Sequence, residues 1–543
     1  MARSSSLVAR LSPLACLFSL LLPRVSAAQV ALRDSLPHIS SIIIRRNSIF
    51  DSGDSSWFAR TINSLHVTTR EPLIRRELLF HPHERYDSAR IAESERILRS
   101  LRVFRAVEID STSSDSGVAL RVTTHDGWTT RPDFRFRSTG GSVVYTLALI
   151  EDNLLGTLTQ TALLYQKDPD RSTTVLRLSR GRLIGGKVAG TLFYANRSDG
   201  NLGFAQLALP YFETASPLGA ALTFDDRRDR IFRYRDGVPI AHDTLQNRYV
   251  LVRGDFSHAL HASSFGYLRA GITAQVRRDD YIGDRDYQSA GFAAASVTGA
   301  VGAFVEVSHV KKPKIVGFQT LGHQEDIDLS SVVRVSLFAA PAALGYPDGH
   351  TGLVPTIGLH TGVQFHGGFA YADFFAGGLY TATGLDSGQV FLSGTVALLP
   401  STRHQLTLHG EVGALRTPLP GTEFDLGLGA GPRAFSQHSF TGDREFFGTA
   451  EYRYTVSPEL FKVVGVGLAA FVDHGGAWWS GEKRRSGWDF GVGLRLAASR
   501  APDLETNRID LAWRAAQPGM PGGWVVAVGK GFVFATGPRG TSR

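Results

Sequence analysis

Carboxylates on alternating segments are the residues of this sequence best placed to do chemistry. In residues 449–454, Ala450, Tyr452 and Tyr454 share one face of an extended chain, and Thr449, Glu451 and Arg453 share the other. In residues 464–473 the first face is Val464, Val466, Leu468, Ala470 and Val472; the second is Gly465, Gly467, Ala469, Phe471 and Asp473. Glu451 and Asp473 therefore lie opposite apolar faces, where a sequestered carboxylate needs a cation or hydrogen-bond donors beside it. Patterns for catalysis are missing. No Gly-x-Ser-x-Gly nucleophile turn occurs. Gly427-Leu428-Gly429-Ala430-Gly431 has dinucleotide-loop spacing, but Pro432 and Arg433 follow it and no βαβ unit surrounds it. His81-Pro82-His83 and the pair His258/His261 lack the carboxylate or cysteine company of a metal site and read as surface histidines. The sequence predicts no enzyme, no cofactor and no metal.

The composition agrees with a β-rich framework. Among 543 residues there are 58 glycines, well above the usual ~7%. Aromatics make up 10%, charged residues 20%, and mean hydropathy is −0.05. The single cysteine, Cys16, excludes a disulfide scaffold and a thiolate-ligated metal centre. Beyond the first thirty residues no apolar run approaches the ~18 that a spanning helix needs. The net charge of +8 is spread along the chain, so nucleic acid is not an expected partner.

Residues 1–27 read as an export signal: Arg3 and Arg10 precede an apolar stretch at 14–22, and Val25-Ser26-Ala27 offers a small-residue cleavage site. Cleavage is expected after Ala27, with Ala28 the adjacent alternative. Cys16, preceded by Pro13-Leu14-Ala15, makes a poor lipid-attachment box. A linker at 28–37 leads to a small α+β domain at 38–127. Its signals are a β-branched strand at 41–50, helices at Trp57–Leu65 and 71–79, and an Asp87 N-cap ahead of Ile91, Ile97, Leu98 and Leu101. Two short strands at 104–110 and 118–123 follow, for an order read as β-α-α-β-β. From 128 to 543 alternation with period 2 takes over. A soluble sandwich also alternates, but export, aromatics near strand ends (Tyr452, Tyr454, Trp488, Trp513) and recurrent inward charges favour a transmembrane antiparallel β-barrel. At roughly 25 residues per strand and turn, about 16 strands are expected. The fold class is mainly β.

These segments resemble the BamA/TamA superfamily of outer-membrane assembly factors, the bacterial surface antigen family, over nearly the whole chain after residue 27. The domain at 38–127 is similar to a single POTRA (polypeptide-transport-associated) domain. The carriers there are Tyr86-Asp87 running to Leu101 and then Val103-Phe104-Arg105-Ala106-Val107, with Arg102 where the family often has Gly. Residues 151–156 (EDNLLG) look like the family's second barrel turn. Val528-Gly529-Lys530-Gly531-Phe532 looks like its closing strand, although nine residues follow Phe534. Pro432-Arg433-Ala434-Phe435 matches the tip of the loop that, in the family, folds from outside into the lumen, with Pro and Ala replacing the usual Val/Leu and Gly. Phe471-Val472-Asp473-His474-Gly475 matches the family's Phe-x-Asp-x-Gly strand motif.

The resemblance implies that Arg433 pairs with Asp473 on the barrel wall, with Glu451 the second-choice carboxylate. It implies assistance in the insertion or translocation of polypeptides, without a cofactor, in the bacterial outer membrane with the POTRA domain in the periplasm. Outer-membrane lipid, a client β-barrel or secreted polypeptide and periplasmic accessory proteins are the implied partners. A two-partner-type secretion pore and a passive structural barrel are the alternative functions. The lateral seam is expected between a short first strand at 133–138, carrying Phe134 and Phe136, and a last strand at 524–534. That last strand is softened by Gly529 and Gly531 and ends in Phe532 and Phe534.

Overall fold

The computed structural model describes residues 37–50, 57–101, 103–114, 117–139, 142–184, 186–235, 237–283, 296–346, 351–427, 430–499 and 506–536. The signal segment 1–27 with its cleavage site, the linker up to residue 36, Arg102, Leu428 and Gly429 lie outside the described residues.

The small domain is built on β1 (Ile39–Asn47), β2 (Phe104–Ser114) and β3 (Gly117–Asp126), in the order β1-β3-β2, with β1 parallel and β2 antiparallel to the central strand. Three helices, Trp57–Leu65, Glu71–Glu77 and Ser88–Ser100, stand between β1 and β2. The Asp87 carboxylate caps the last of these, accepting from the backbone N–H groups of Ala89 at 2.9 Å and Arg90 at 3.2 Å. Ile74, Ile91 and Leu98 from the helices bury against Ile39, Leu120 and Val122 of the sheet.

Twenty antiparallel strands then close a barrel, from β4 (Thr130–Thr139) to β27 (Gly523–Lys530), which lies beside β4. This corrects the expected sixteen. The assumed spacing was too generous at the start, where six strands from β4 to β9 (Gly200–Leu209) fit between Thr130 and Leu209. The small domain enters at the start of β4, which defines a proximal end; the opposite end is distal. Two connections carry extra hairpins. Between β13 (Ser296–His309) and β16 (Ser331–Ala340), on the proximal side, lie β14 (Lys314–Val316) and β15 (Gln324–Asp326). Between β20 (His404–Arg416) and β23 (Arg444–Leu460), on the distal side, lie β21 (Phe424–Leu426) and β22 (Phe440–Gly442).

The polarity of the barrel is inverted relative to a soluble protein. Leu147, Leu163, Leu192, Leu222, Ile272, Leu392, Leu468, Val492 and Leu511 are exposed on the outer wall, while Arg433, Arg495, Asp473 and Asp510 are buried inside. The two faces read from β24 (Val464–Trp478) alternate as expected, with Gly465, Gly467, Ala469, Phe471 and Asp473 inward. An apolar wall running around a whole barrel far exceeds the patch a soluble monomer tolerates and is the surface a bilayer covers. Among the described residues no helix is long and apolar enough to cross a membrane.

The small domain is fastened to the proximal rim by ion pairs. Arg99 forks onto Asp326 of β15, with Nε–Oδ2 and Nη2–Oδ1 both 3.0 Å, and Lys314 reaches Glu95 at 2.7 Å. Arg182 meets Glu77 at 2.6 Å.

The closing strand differs from its expectation. It ends at Lys530, because Gly531 takes a left-handed φ of 65° and turns the chain inward. Phe532 and Phe534 are consequently buried in the lumen rather than placed at the seam. The first strand is also longer than expected, at 10 residues; β26 (Asn507–Arg514) and β27, at 8 each, are the shortest described strands of the wall. Gly529 has a packing reason: a Cβ there would lie 2.8 Å from the Arg508 guanidinium.

Candidate functional site

Hairpin β21–β22 carries its loop from the distal end down into the lumen. The tip is drawn tight at Gly427, where a Cβ would overlap the Ser436 carbonyl at 2.0 Å, and Phe435 N–H donates back to the Pro432 carbonyl at 3.3 Å. This turn presents Arg433 at 1% exposure, one of the largest fully buried side chains. Its guanidinium forks onto Asp473, with Nε–Oδ2 at 2.7 Å and Nη2–Oδ1 at 3.1 Å, and its Nη1 donates to Glu451 Oε2 at 2.8 Å. The planar fork matches a carboxylate in a way an ammonium cannot.

The three inward positions of the strand motif each meet this loop tip. The Phe471 ring lies 3.6 Å beneath the Arg433 guanidinium, an arrangement of cation over aromatic face. Asp473 takes the fork and is held in turn by Thr449 Oγ1 at 2.6 Å. Gly475 leaves room: a Cβ there would stand 3.2 Å from Pro432 Cδ and 2.8 Å from the Phe447 ring. The substituted tip residues also have places. Ala434 is fully buried against Phe471 and Ala512, and its N–H donates to Asp489 at 2.9 Å. Phe435 fills the space that a Gly487 side chain would occupy, 2.2 Å from its Cζ.

Around the fork runs a wider buried network that sequence reasoning did not assemble. Glu451 also receives Arg453 and Arg495, and Asp510 receives Arg495 at 2.6 Å and Arg508 at 2.8 Å. Arg433 lies 3.5 Å from Asp510 as well. Four guanidinium groups (Arg433, Arg453, Arg495, Arg508) thus sit among four carboxyl groups (Glu451, Asp473, Asp489, Asp510), all buried. Alternation alone puts the seven wall residues on inward faces, and the loop brings Arg433 to them; their meeting depends on register, which pairs Asp473 with Asp489 and Gly493 with Asp510. Charges removed from water so completely need this mutual pairing. The arrangement holds the loop tip to the wall, so its chemistry is that of a latch.

A second contact holds the same loop nearer the distal rim. The His438 ring stacks on Tyr234 at 3.6 Å and bridges Asp425 (Nδ1, 2.5 Å) and Asp170 (Nε2, 2.9 Å). Burial opposes charging of this imidazole, but the bonds to Asp170 and Asp425 outweigh it and lift its pKa to about 9. No sequence signal marked His438, whose partners are Asp425 of its own hairpin, Asp170 from a distant turn and Tyr234 from a distant strand. Of the histidines read as surface residues, His81 does have a carboxylate beside it, Glu84 at 3.3 Å, in an exposed pair. At the seam, Phe134 is 65% and Trp524 62% exposed, both on the outer wall, and Phe134 stacks with Phe136 at 6.5 Å.

No protein-family model matches the sequence, and no curated protein matches it. Among solved structures, CdiB from Escherichia coli aligns over 94% of this chain and 92% of its own, at 12% identity and a TM-score of 0.44. BamA from Haemophilus ducreyi lacking POTRA domains 1–3 aligns over 91% of this chain and 84% of its own, at 10% identity and a TM-score of 0.38. The FrpB iron transporter from Neisseria meningitidis (F5-1 variant) aligns over 78% of this chain and 88% of its own, at 10% identity and a TM-score of 0.38.

Proposed function

We propose that this chain is an outer-membrane barrel that assists the insertion or translocation of polypeptides, with residues 1–27 as its export signal and residues 38–127 as a periplasmic POTRA domain that engages clients. The observation that carries the reading is the latch: the loop tip meets three successive inward positions of one strand, with Phe471 and Asp473 on Arg433 and Gly475 leaving room for Pro432. The resemblance drawn from sequence implied that pairing, and the geometry gives each motif residue a separate task in it. A latched loop keeps the lumen filled, so work on a client belongs at the wall and at the proximal domain. The wall offers β27, only 8 residues long, beside β4 as the place where strands can part and present backbone groups to a client. The small domain offers the outer edge of β2 for strand addition. No covalent step is required, since insertion exchanges backbone hydrogen bonds and buries apolar surface.

The test is reconstitution. Purified protein in liposomes should speed the folding of a urea-unfolded β-barrel client into the same bilayer. An equal client folding rate with and without the protein would refute the assembly reading, and client transport across the bilayer instead of into it would establish the secretion alternative.

A further inference from the structure

The loop latch blocks the lumen from the distal side; the proximal half is filled by something else. Beyond Gly531 the chain's own tail enters the barrel, and Phe532, Val533 and Phe534 are all buried there. Phe534 lies flat on His409, with ring centroids 3.9 Å apart and planes 2° from parallel. Phe532 packs on Phe318 at 5.2 Å and on Phe534 at 4.9 Å, with the Arg453 guanidinium 3.7 Å over its ring. Phe318 comes from the turn of the β14–β15 hairpin, which enters from the proximal side. Its carbonyl accepts from Gln405 Nε2 at 3.1 Å, and its ring meets Phe369 edge-on at 4.9 Å. The Glu325 carboxylate shapes that turn by accepting from the N–H groups of Gln319 and Thr320, both at 3.0 Å. These rings form a cleft on rigid strands with a preset lip.

The way the tail is held differs from the way the wall is held. Gly531 N–H donates to the Thr506 carbonyl at 2.7 Å, and Thr536 Oγ1 reaches the Gln319 side chain at 3.0 Å. Among the described residues no backbone hydrogen bond ties residues 532–536 to the barrel. The tail is therefore seated by its rings, and a glycine pivot lies at its root. It can leave without breaking a strand ladder, whereas every wall strand is locked into one.

We propose that the proximal lumen is a binding cleft for an aromatic-x-aromatic peptide in a bent conformation, with this chain's own Phe532-Val533-Phe534 as an exchangeable resident ligand. The cleft's specificity follows from its walls: a flat imidazole for one ring, and a guanidinium with a phenylalanine for the other, the two rings lying two residues apart on a bent chain and stacked on each other. The side chain between them, Val533, is buried as well. The inference rests on the barrel fold and is independent of the assembly reading, so the two can fail separately.

The probe is a fluorescein-labelled peptide of residues 531–536, Gly-Phe-Val-Phe-Ala-Thr. A barrel lacking residues 531–543 should bind it saturably, and full-length protein should bind at least tenfold more weakly because the cleft is taken. The same peptide with both Phe replaced by Ala should not bind. Should the shortened barrel fail to fold, a Phe532→Ala/Phe534→Ala barrel replaces it, with the same expectation. Absence of saturable binding, or equal binding by full-length and emptied barrels, overturns the proposal. Exchange is read separately in full-length protein carrying Val533→Cys, with Cys16 the only other cysteine in the chain and inside the export signal. That thiol should react slowly with a charged reagent, and faster when unlabelled peptide is present. A thiol that never reacts in the folded barrel would overturn the exchange.

Discussion

Arg433→Ala should release the lumen loop, and the size of the effect can be worked from its contacts. The substitution leaves Glu451 with Arg453 and Arg495, so that carboxylate stays compensated. Asp473 fares worse, because Arg433 supplies its bidentate fork and Thr449 Oγ1 is the other side-chain donor, at 2.6 Å. Asp473 is 0% exposed, and an uncompensated buried charge of this kind costs ~3–5 kcal/mol. At about 1.4 kcal/mol per factor of ten, the open state of the loop should rise roughly a hundredfold to a few thousandfold. Chymotrypsin cutting at Phe435 or Phe440 in folded barrels reads this directly, since cleavage tracks the open population when opening is fast. Asp473→Asn should have a comparable effect, and the double variant should lose much less than the two single losses combined. Arg433→Lys should fall between, keeping the charge and losing the fork. An Arg433→Ala barrel cut no faster than the parent protein would refute the latch.

Other expectations follow from separate parts of the molecule. The His438 bridge should stabilise the loop fully below about pH 6.5, the ordinary histidine pKa, and lose that contribution as pH rises through about 9. Loop cleavage should therefore accelerate between pH 8 and 10 by about tenfold or more, and a flat profile, or one shared by His438→Gln, would contradict it. Gly531→Ala forces a left-handed φ of 65° on a residue with a Cβ, at about 1–2 kcal/mol, and should loosen the tail; unchanged cleavage at Phe532 would count against the pivot. Leu392→Arg, on the exposed outer wall near the middle of β19 (Gly384–Leu398), should cost about 2–4 kcal/mol in urea titrations of the lipid-embedded barrel. A neutral result would mean that this face does not meet lipid.

Much of this architecture is legible in the sequence wherever side-chain alternation is strict. Thr449, Glu451 and Arg453, or Phe471 and Asp473, can be assigned a face without knowing any neighbour, because a strand's period of two is local. Strand number is not local. It depends on lengths ranging from 26 residues in β11 (Val238–Ser263) to 8 in β26, which no average spacing anticipates. The partners of Arg433 divide in the same way. Asp473 and Glu451 were reachable through the motif, whereas Asp510 joins only through the register of β25 (Gly487–Ala498) with β26. The tail shows competition between levels. Residues 524–534 read as one strand, but a left-handed glycine and an unfilled aromatic cleft in the lumen take Phe532 and Phe534 out of it. Local pattern cannot see a cleft assembled from Phe318, Phe369 and His409, which lie far apart in the chain.

The inverted barrel is the premise on which everything else stands, and one gel tests it most directly. Cell envelopes washed in carbonate should retain the protein. Unboiled samples should migrate as a compact folded form that shifts to the full-length position on heating, because a closed barrel satisfies its backbone internally and resists detergent. Recovery in the soluble fraction, or a membrane-bound form with no heat shift, would contradict the account.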